Sequence, residues 1–479
     1  MAFALPDWSA AALDDPRLRQ RLRLVVADLQ ARPGASLPEA SRSKAALKGA
    51  YRFFDHPRVT ADAILPAFVR PSVAALASRR EVLVVHDTTT FNFSSLESAS
   101  GLGPVNDSRS AQGIHLHSSL LLDEDCRLAG IGDLRFWVRD GFREETPQQV
   151  RDLPIEEKES FRWLLGMRSV RAAFDEAAQG GGTPRLIHVM DREGDIHEVF
   201  QDVRAAGDHA VIRCAQDRRV EGEEEGVLAC AKGRVAAQVA LGTMELRVPL
   251  KDGGWRMATV EVRSLGVVLR PDGKKHKGRR ALRLGLVEVR EVSKPPEGEK
   301  AALWLLWTTL RVGTLAQVRR VLGIYRARWR IEDYHRAMKT GCAAEKLRLQ
   351  DGRKLMKALA VKAWVATRIV RLRDEGKDAP EQDGGRHFSE AEWKLLWAEH
   401  HGRAWREGDG KPTLGEALRW LGRLGGHLGR KNDPMPGAEC LAKALQALEM
   451  MMRGREIGRL EAGAGPPEPS PPGGQAGQG

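Results

Sequence analysis

Tyr325-Arg-Ala-Arg-Trp-Arg-Ile-Glu332-Asp-Tyr-His-Arg-Ala-Met-Lys339 decides how this chain is read. Taken as one helix at 100° per residue, it puts Tyr325, Arg328, Glu332 and Lys339 at about 0°, 300°, 340° and 320°. Four reactive side chains then share a stripe roughly 60° wide over nearly four turns. A carboxylate between an Arg and a Lys suits a hard cation bound beside a phosphate: the carboxylate ligates, and the bases hold phosphate oxygens. The bland alternative is a solvated basic helix face. Asp333 falls about 100° off the stripe and reads as structural.

Working outward, two aspartates stand at the ends of strand-like runs. Val82-Leu-Val-Val-His-Asp87-Thr-Thr-Thr is short, apolar and β-branched, as an interior strand is. Leu186-Ile-His-Val-Met-Asp191-Arg-Glu-Gly-Asp195-Ile-His predicts a strand, a turn at Gly194, and a helix to about Arg204 capped by Asp195. Between them, His117–Asp123 and Arg127–Trp137 predict a hairpin around Asp123-Glu124-Asp125. Strand, hairpin, strand and a late helix bearing Glu332 is the order of a ribonuclease H-like fold. A lone strand-end Asp is usually a cap or turn residue; two of them with a helical Glu in that order make coincidence a weak explanation.

The Tyr-Arg-Glu-Lys stripe, Asp191-Arg-Glu-Gly-Asp-Ile-His197 and Asp87-Thr-Thr together resemble the hairpin-forming bacterial DDE transposases of insertion-sequence family four. The resemblance extends to Leu13-Asp-Asp-Pro-Arg17, Ser43–Phe54, Trp304 and Arg423-Leu-Gly-Gly426, and leaves only the tail unmatched. It implies a cut-and-paste DNA transposase in which Asp87, Asp191 and Glu332 are both the catalytic and the metal-binding triad. Two Mg²⁺ or Mn²⁺ ions per site are the implied cofactor. Three adjacent carboxylates do not all stay ionised without cations between them, so the chemistry asks for the metal as well. The resemblance assigns Arg328, Lys339 and Tyr325 to DNA phosphates, and Trp304 to stacking on a base flipped out during hairpin formation. Alternating apolar neighbours support core packing for Trp304 instead. Trp307, expected to point the same way, is its rival.

The chain has 479 residues and a formal charge of +12, with a pI near 9.6. A basic balance fits a polyanionic partner. Lys274-Lys275-His-Lys-Gly-Arg279-Arg280 lies between two β-like stretches and reads as a phosphate clamp or a solvated hairpin tip. Five scattered cysteines without a C-x2-C pair speak against zinc or a disulfide framework. His86, His188 and His197 flank the aspartates, but hard cations prefer oxygen. Glu193 and Arg192 stay outside the catalytic set. No apolar run reaches membrane-spanning length and the N-terminus lacks signal-peptide character, so a cytoplasmic, nucleoid-associated protein is expected.

Six segments are expected. Residues 1–75 form a helical DNA end-recognition domain, and 76–215 the first part of an α/β ribonuclease H-like core, a mixed five-stranded sheet with flanking helices. A β-rich insertion occupies 216–310, and the core resumes with the signature helix over 311–375. A helical dimerisation domain follows at 376–461, then a disordered tail at 462–479. The expected partners are double-stranded DNA, as terminal inverted repeats and target, and a second copy of the chain; no membrane or small-molecule substrate is expected. The competing readings are a DNA-binding remnant or repressor and a structure-specific nuclease of the same fold.

Overall fold

The structure, a computed structural model, describes residues 5–106, 108–141, 146–178, 181–222, 227–251, 254–271, 280–430 and 433–461. Lys274, Lys275 and Arg279 of the basic run lie outside the described residues, as does the tail at 462–479. Among the described residues the chain is mixed α/β, and its strands build one large mixed sheet.

The N-terminal segment is helical. Asp15 accepts the amide of Arg17 and, with Pro16 in the first turn, starts α1 (Pro16–Ala31). Ser43 caps α2 (Lys44–Asp55), and Thr60 caps a short turn leading into α3 (Pro66–Ala74). The strands follow: β1 (Glu81–Asn92), β2 (Gly103–Val105), β3 (Ser108–Leu122), β4 (Leu128–Trp137), β5 (Arg185–Met190) and β6 (His209–Arg213). β3 pairs antiparallel with β1 and with β4, so the expected hairpin is present. β5 and β6 run parallel to β1, Val85 lying opposite Val189. The helices that make these parallel crossings are α4 (Phe161–Ala178) and α5 (His197–Ala205).

Beyond β6 the chain adds β7 (Arg219–Glu221), β8 (Leu228–Cys230), α6 (Ala231–Ala236), β9 (Gly242–Pro249), β10 (Trp255–Leu269), β11 (Leu282–Glu291) and β12 (Leu303–Thr308). These strands extend the same sheet. β12 pairs antiparallel with β6 through Leu306–Arg213, Trp307–Ile212 and Thr308–Val211, and β11 and β10 follow outward.

The alternation of side chains along a strand sorts the interior. In β1, Leu83 and Val85 join the core shared with the helices of both termini, while Val82 and Val84 join the core under α4. In β5, Ile187 and Val189 lie on the first side and Met190 on the other. Two helices after β12, α7 (Leu315–Arg326) and α8 (Trp329–Arg336), lead into α9 (Gly352–Asp378), which Asp351 caps. Lys362 of α9 is fully buried and donates to the carbonyls of Pro33, Ala35 and Cys342, tying the N-terminal helices to this layer. Burial lowers its ammonium to about 8. The chain closes with α10 (Glu390–His401), α11 (Leu414–Leu424) and α12 (Ala438–Glu461). No helix among the described residues is long and apolar enough to cross a membrane.

Candidate active site

Asp87 lies in the middle of β1 and shares the parity of Leu83 and Val85, so it faces the side covered by α8. Asp191 follows β5 with the parity of Ile187 and Val189 and faces the same way. Because Val85 and Val189 are paired, the two aspartates come side by side two residues later, on neighbouring strands about 4.8 Å apart. Asp87 accepts the amide of Thr88 through Oδ1 at 2.8 Å. Asp191 accepts the amide of Glu193 at 2.8 Å and caps the single turn Arg192–Gly194. That turn needs glycine: a Cβ on Gly194 would sit 2.5 Å from Cβ of Met190.

Burial pushes the Asp87 carboxyl up to about 7, with the charge of Asp191 adding to it and Arg328 opposing. Glu193 is raised as well, first by burial and then by Asp191 and Glu159. Glu159 is itself neutralised: Arg139 donates to both of its oxygens, at 2.7 and 2.9 Å, and Trp137 donates at 3.2 Å.

Arg328 connects the halves of the site. Its Nη2 donates to Glu332 Oε1 at 2.5 Å and its Nη1 lies 3.7 Å from Asp87 Oδ2. Its Nε is buried and has no hydrogen-bond partner. A guanidinium between two carboxylates with donors unspent is suited to an incoming oxyanion.

The uninterrupted stripe expected over 325–339 is not what forms. Ala327, Arg328, Arg330 and Ile331 each bond the carbonyl three residues back, so the chain turns tightly between α7 and α8. At the other end, Ala337–Gly341 is a π-turn, with the amide of Cys342 reaching the carbonyl of Ala337. A constant 100° per residue therefore fails at both ends of the segment. Arg328 and Glu332 still meet. Tyr325 is buried, 3% exposed, and packs edge-on against Trp304 with ring centres 5.6 Å apart. Lys339 leaves on the π-turn, its Nζ 5.8 Å from the ring centre of Phe91.

Trp304 is 6% exposed. Trp307 is fully buried and does not share its direction. An odd spacing on a strand sends the two rings to opposite faces, and they pack into different cores. Beside Arg328 stands an aromatic pair that sequence alone does not single out, the half-buried Trp329 and the exposed Trp255, meeting edge to face at 5.3 Å. Arg328 and Arg247 lie over their rings. Trp329 lies inside the signature segment, whereas nothing in the sequence linked Trp255 to it.

Asp195 does not cap α5, whose first turn has no side-chain cap. It turns inward to accept the amide of Ala215 at 2.8 Å and Arg218 Nε at 2.8 Å. Asp333 pairs with Arg373 at 2.9 Å, away from the site. His86 and His188 are buried, 3.0 Å apart, on the far side of the sheet from Asp87. Burial holds both below the usual histidine range, His86 well below it. His197 meets the carbonyl of Arg280, an exposed residue at the end of the basic run.

As to a metal, the Asp87–Asp191 pair fits a hard divalent cation: two oxygen donors face each other and the ionisation of one is suppressed. Glu332 is held instead by Arg328, and no group of three or more His, Cys, Asp or Glu side chains among the described residues is closed around a single point.

Two family models match the chain. A transposase DNA-binding model covers residues 1–59, and a transposase Tn5 dimerisation model covers residues 361–465, beginning inside α9. Together they support a transposase similar to those of insertion-sequence family four. Among solved structures, the chain is similar to a cryo-EM structure of the piggyBac transposase synaptic complex with hairpin DNA, at 8% identity and a TM-score of 0.30. The alignment takes in 82% of this chain but spans only 58% of that one, a likeness too slight to carry an argument.

Proposed function

We propose that this chain is a metal-dependent cut-and-paste DNA transposase with a ribonuclease H-like core. The observation that carries the reading is the placement of Asp87 and Asp191 side by side, facing a helix whose Arg328–Glu332 pair closes on Asp87. The strand order β4-β3-β1-β5-β6, with the first three antiparallel and the last two parallel to β1, supports that core. The matched models support end binding by the N-terminal helices and pairing of two copies through the C-terminal ones.

Asp87, Asp191 and Glu332 are the residues that would hold Mg²⁺ or Mn²⁺, two ions per site, once Glu332 is released from Arg328. Such ions, when bound, activate an attacking oxygen and stabilise a leaving one. The residues supply the rest. Arg328, with its unspent Nε, takes a non-bridging oxygen and compensates charge as Glu332 turns to its ligand role. Lys339, over the ring of Phe91 on the strand that carries Asp87, would contact a neighbouring phosphate. Four in-line displacements follow. Water attacks phosphorus at the element end, and the departing oxygen becomes a free 3′-hydroxyl. That hydroxyl attacks the opposite strand to give a hairpin, a second water opens it, and the 3′-end joins target DNA. Each step exchanges one phosphoester bond for another or for water, with no redox change.

A strand-transfer assay on DNA carrying the element ends tests this. Asp87→Ala, Asp191→Ala and Glu332→Ala should each abolish cleavage and joining while end binding persists. Wild-type cleavage by any of the three would refute the assignment. Cutting without joining would indicate a structure-specific nuclease, and binding alone a repressor.

A further inference from the structure

At the other end of the sheet from the carboxylates lies a cleft of about 1220 Å³ lined by Arg185, Arg204, Arg234, Arg283, Arg311 and Arg320. They come from distant parts of the chain: the start of β5, the end of α5, α6, the start of β11, the loop after β12, and α7. Glu221 is the lone carboxylate in the lining, and it is paired with Arg270. Arg204 and Arg234 are aimed by backbone carbonyls, those of Arg283 and Glu221, and Arg320 by Glu81 at 2.5 Å. Arg185, Arg283 and Arg311 are exposed and have no carboxylate partner among the described residues. Like charges so gathered repel one another unless an anion lies among them.

The lining also limits what that anion is. It holds no Phe, Tyr or Trp, and His209 is its one ring, so it offers no platform for an unstacked base or a nucleoside. What the lining offers is positive charge in arginine forks, which suits phosphate oxygens. Arg185 and Asp191 are the two ends of one stretch of β5, six residues apart, or about 20 Å at 3.3 Å per residue. A duplex spans that distance in roughly six base pairs. The cleft is also bordered by the β10–β11 hairpin, through Gly266–Val268 and Arg283–Gly285.

We infer that this arginine-lined cleft is a second contact for the backbone of duplex DNA, separate from the catalytic carboxylates and indifferent to sequence. Its choice of DNA over other phosphates rests on the transposase reading.

The experiment measures binding of the full chain to a 30-base-pair duplex of arbitrary sequence, in chelator, across a salt series. The Arg283→Ala/Arg311→Ala double variant should bind at least ~10-fold more weakly at 50 mM salt, and its slope of log K against log salt should flatten by about 2. The Arg283→Lys/Arg311→Lys variant keeps the charge and should keep the wild-type slope. An unchanged slope in the alanine variant overturns the inference. So does a lysine variant that loses as much as the alanine one, because the effect is then not one of charge. In a parallel arm, inorganic tripolyphosphate that raises the melting temperature of wild type but not of the alanine variant, with duplex binding equal in both, would give the cleft to a small phosphorylated ligand and also overturn it. The probe has no element end and is never cut, so failure here is separable from failure of the transposase reading: the first leaves strand transfer possible, and the second leaves the salt slope intact.

Discussion

Replacing Asp87 by Asn removes an ionisation that the folded protein resists. The carboxyl titrates at about 7 in the folded, metal-free chain against an ordinary value of 3.8, because it is buried and faces Asp191. Below pH 3.8 it is protonated in folded and unfolded chains alike, and its ionisation costs nothing. Between pH 4 and 7 the unfolded chain ionises it while the folded chain keeps the proton, so the unfolded state gains steadily. Above 7 both are ionised and the folded state bears the whole cost. A raised carboxylate pKa therefore gives stability that is full at low pH and lost as pH rises through about 7. The gap between the two values corresponds to about 4 kcal/mol. Asp87→Asn should then match wild type near pH 4 and exceed it by up to about 4 kcal/mol at pH 8, while being inactive. Urea denaturation in chelator at a series of pH values measures the difference. A difference that stays flat from pH 4 to 8 would refute the argument, and with it the view that burial and the charge of Asp191 oppose ionisation of Asp87.

Trp304→Ala should cost about 3–5 kcal/mol of stability, as truncating a buried aromatic does, and slow nicking and hairpin formation alike. A selective loss of hairpinning, rescued by an abasic site, would return the stacking role to Trp304. Trp329→Ala should reduce hairpin formation relative to nicking by the roughly 1–3 kcal/mol of base–aromatic stacking; an unchanged ratio of the two steps would remove that ring from the reaction. Asp195→Ala strands Arg218 in a part-buried site and should cost about 3–5 kcal/mol in thermal or urea denaturation, and a loss below 1 kcal/mol would show the pair to be dispensable.

What the sequence made legible was whatever depended on short-range pattern. The apolar runs before Asp87 and Asp191 read as interior strands and form β1 and β5. Arg328 and Glu332, one turn apart in sequence, do meet, a relation that survives the tight turn preceding α8. Features that depend on partners distant in sequence were not legible. Asp195 has the look of a cap, but Arg218 and the amide of Ala215, brought beside it by the crossing of β6, offered stronger partners than α5 did. Tyr325 and Lys339 were read from a constant helical rotation, and the i→i−3 bonds at 327–331 and the π-turn at 337–341 changed that rotation. Trp255, at the start of β10, joins Trp329 only through the ladder β10–β11–β12, which no local pattern encodes.

The union of β12 with β6 has a consequence for anyone wishing to trim this chain to a minimal enzyme. The segment from 216 to 310 looks in sequence like a removable module. Cutting it out would leave the amides and carbonyls along one side of β6 facing water, with Ile212 and Val211 beside them. An open apolar edge of that kind recruits strands from other molecules. A shortened chain would therefore be expected to aggregate through the wound, and a soluble version would need a new border, a charged or proline-bearing residue facing outward along β6, designed at the same time as the deletion.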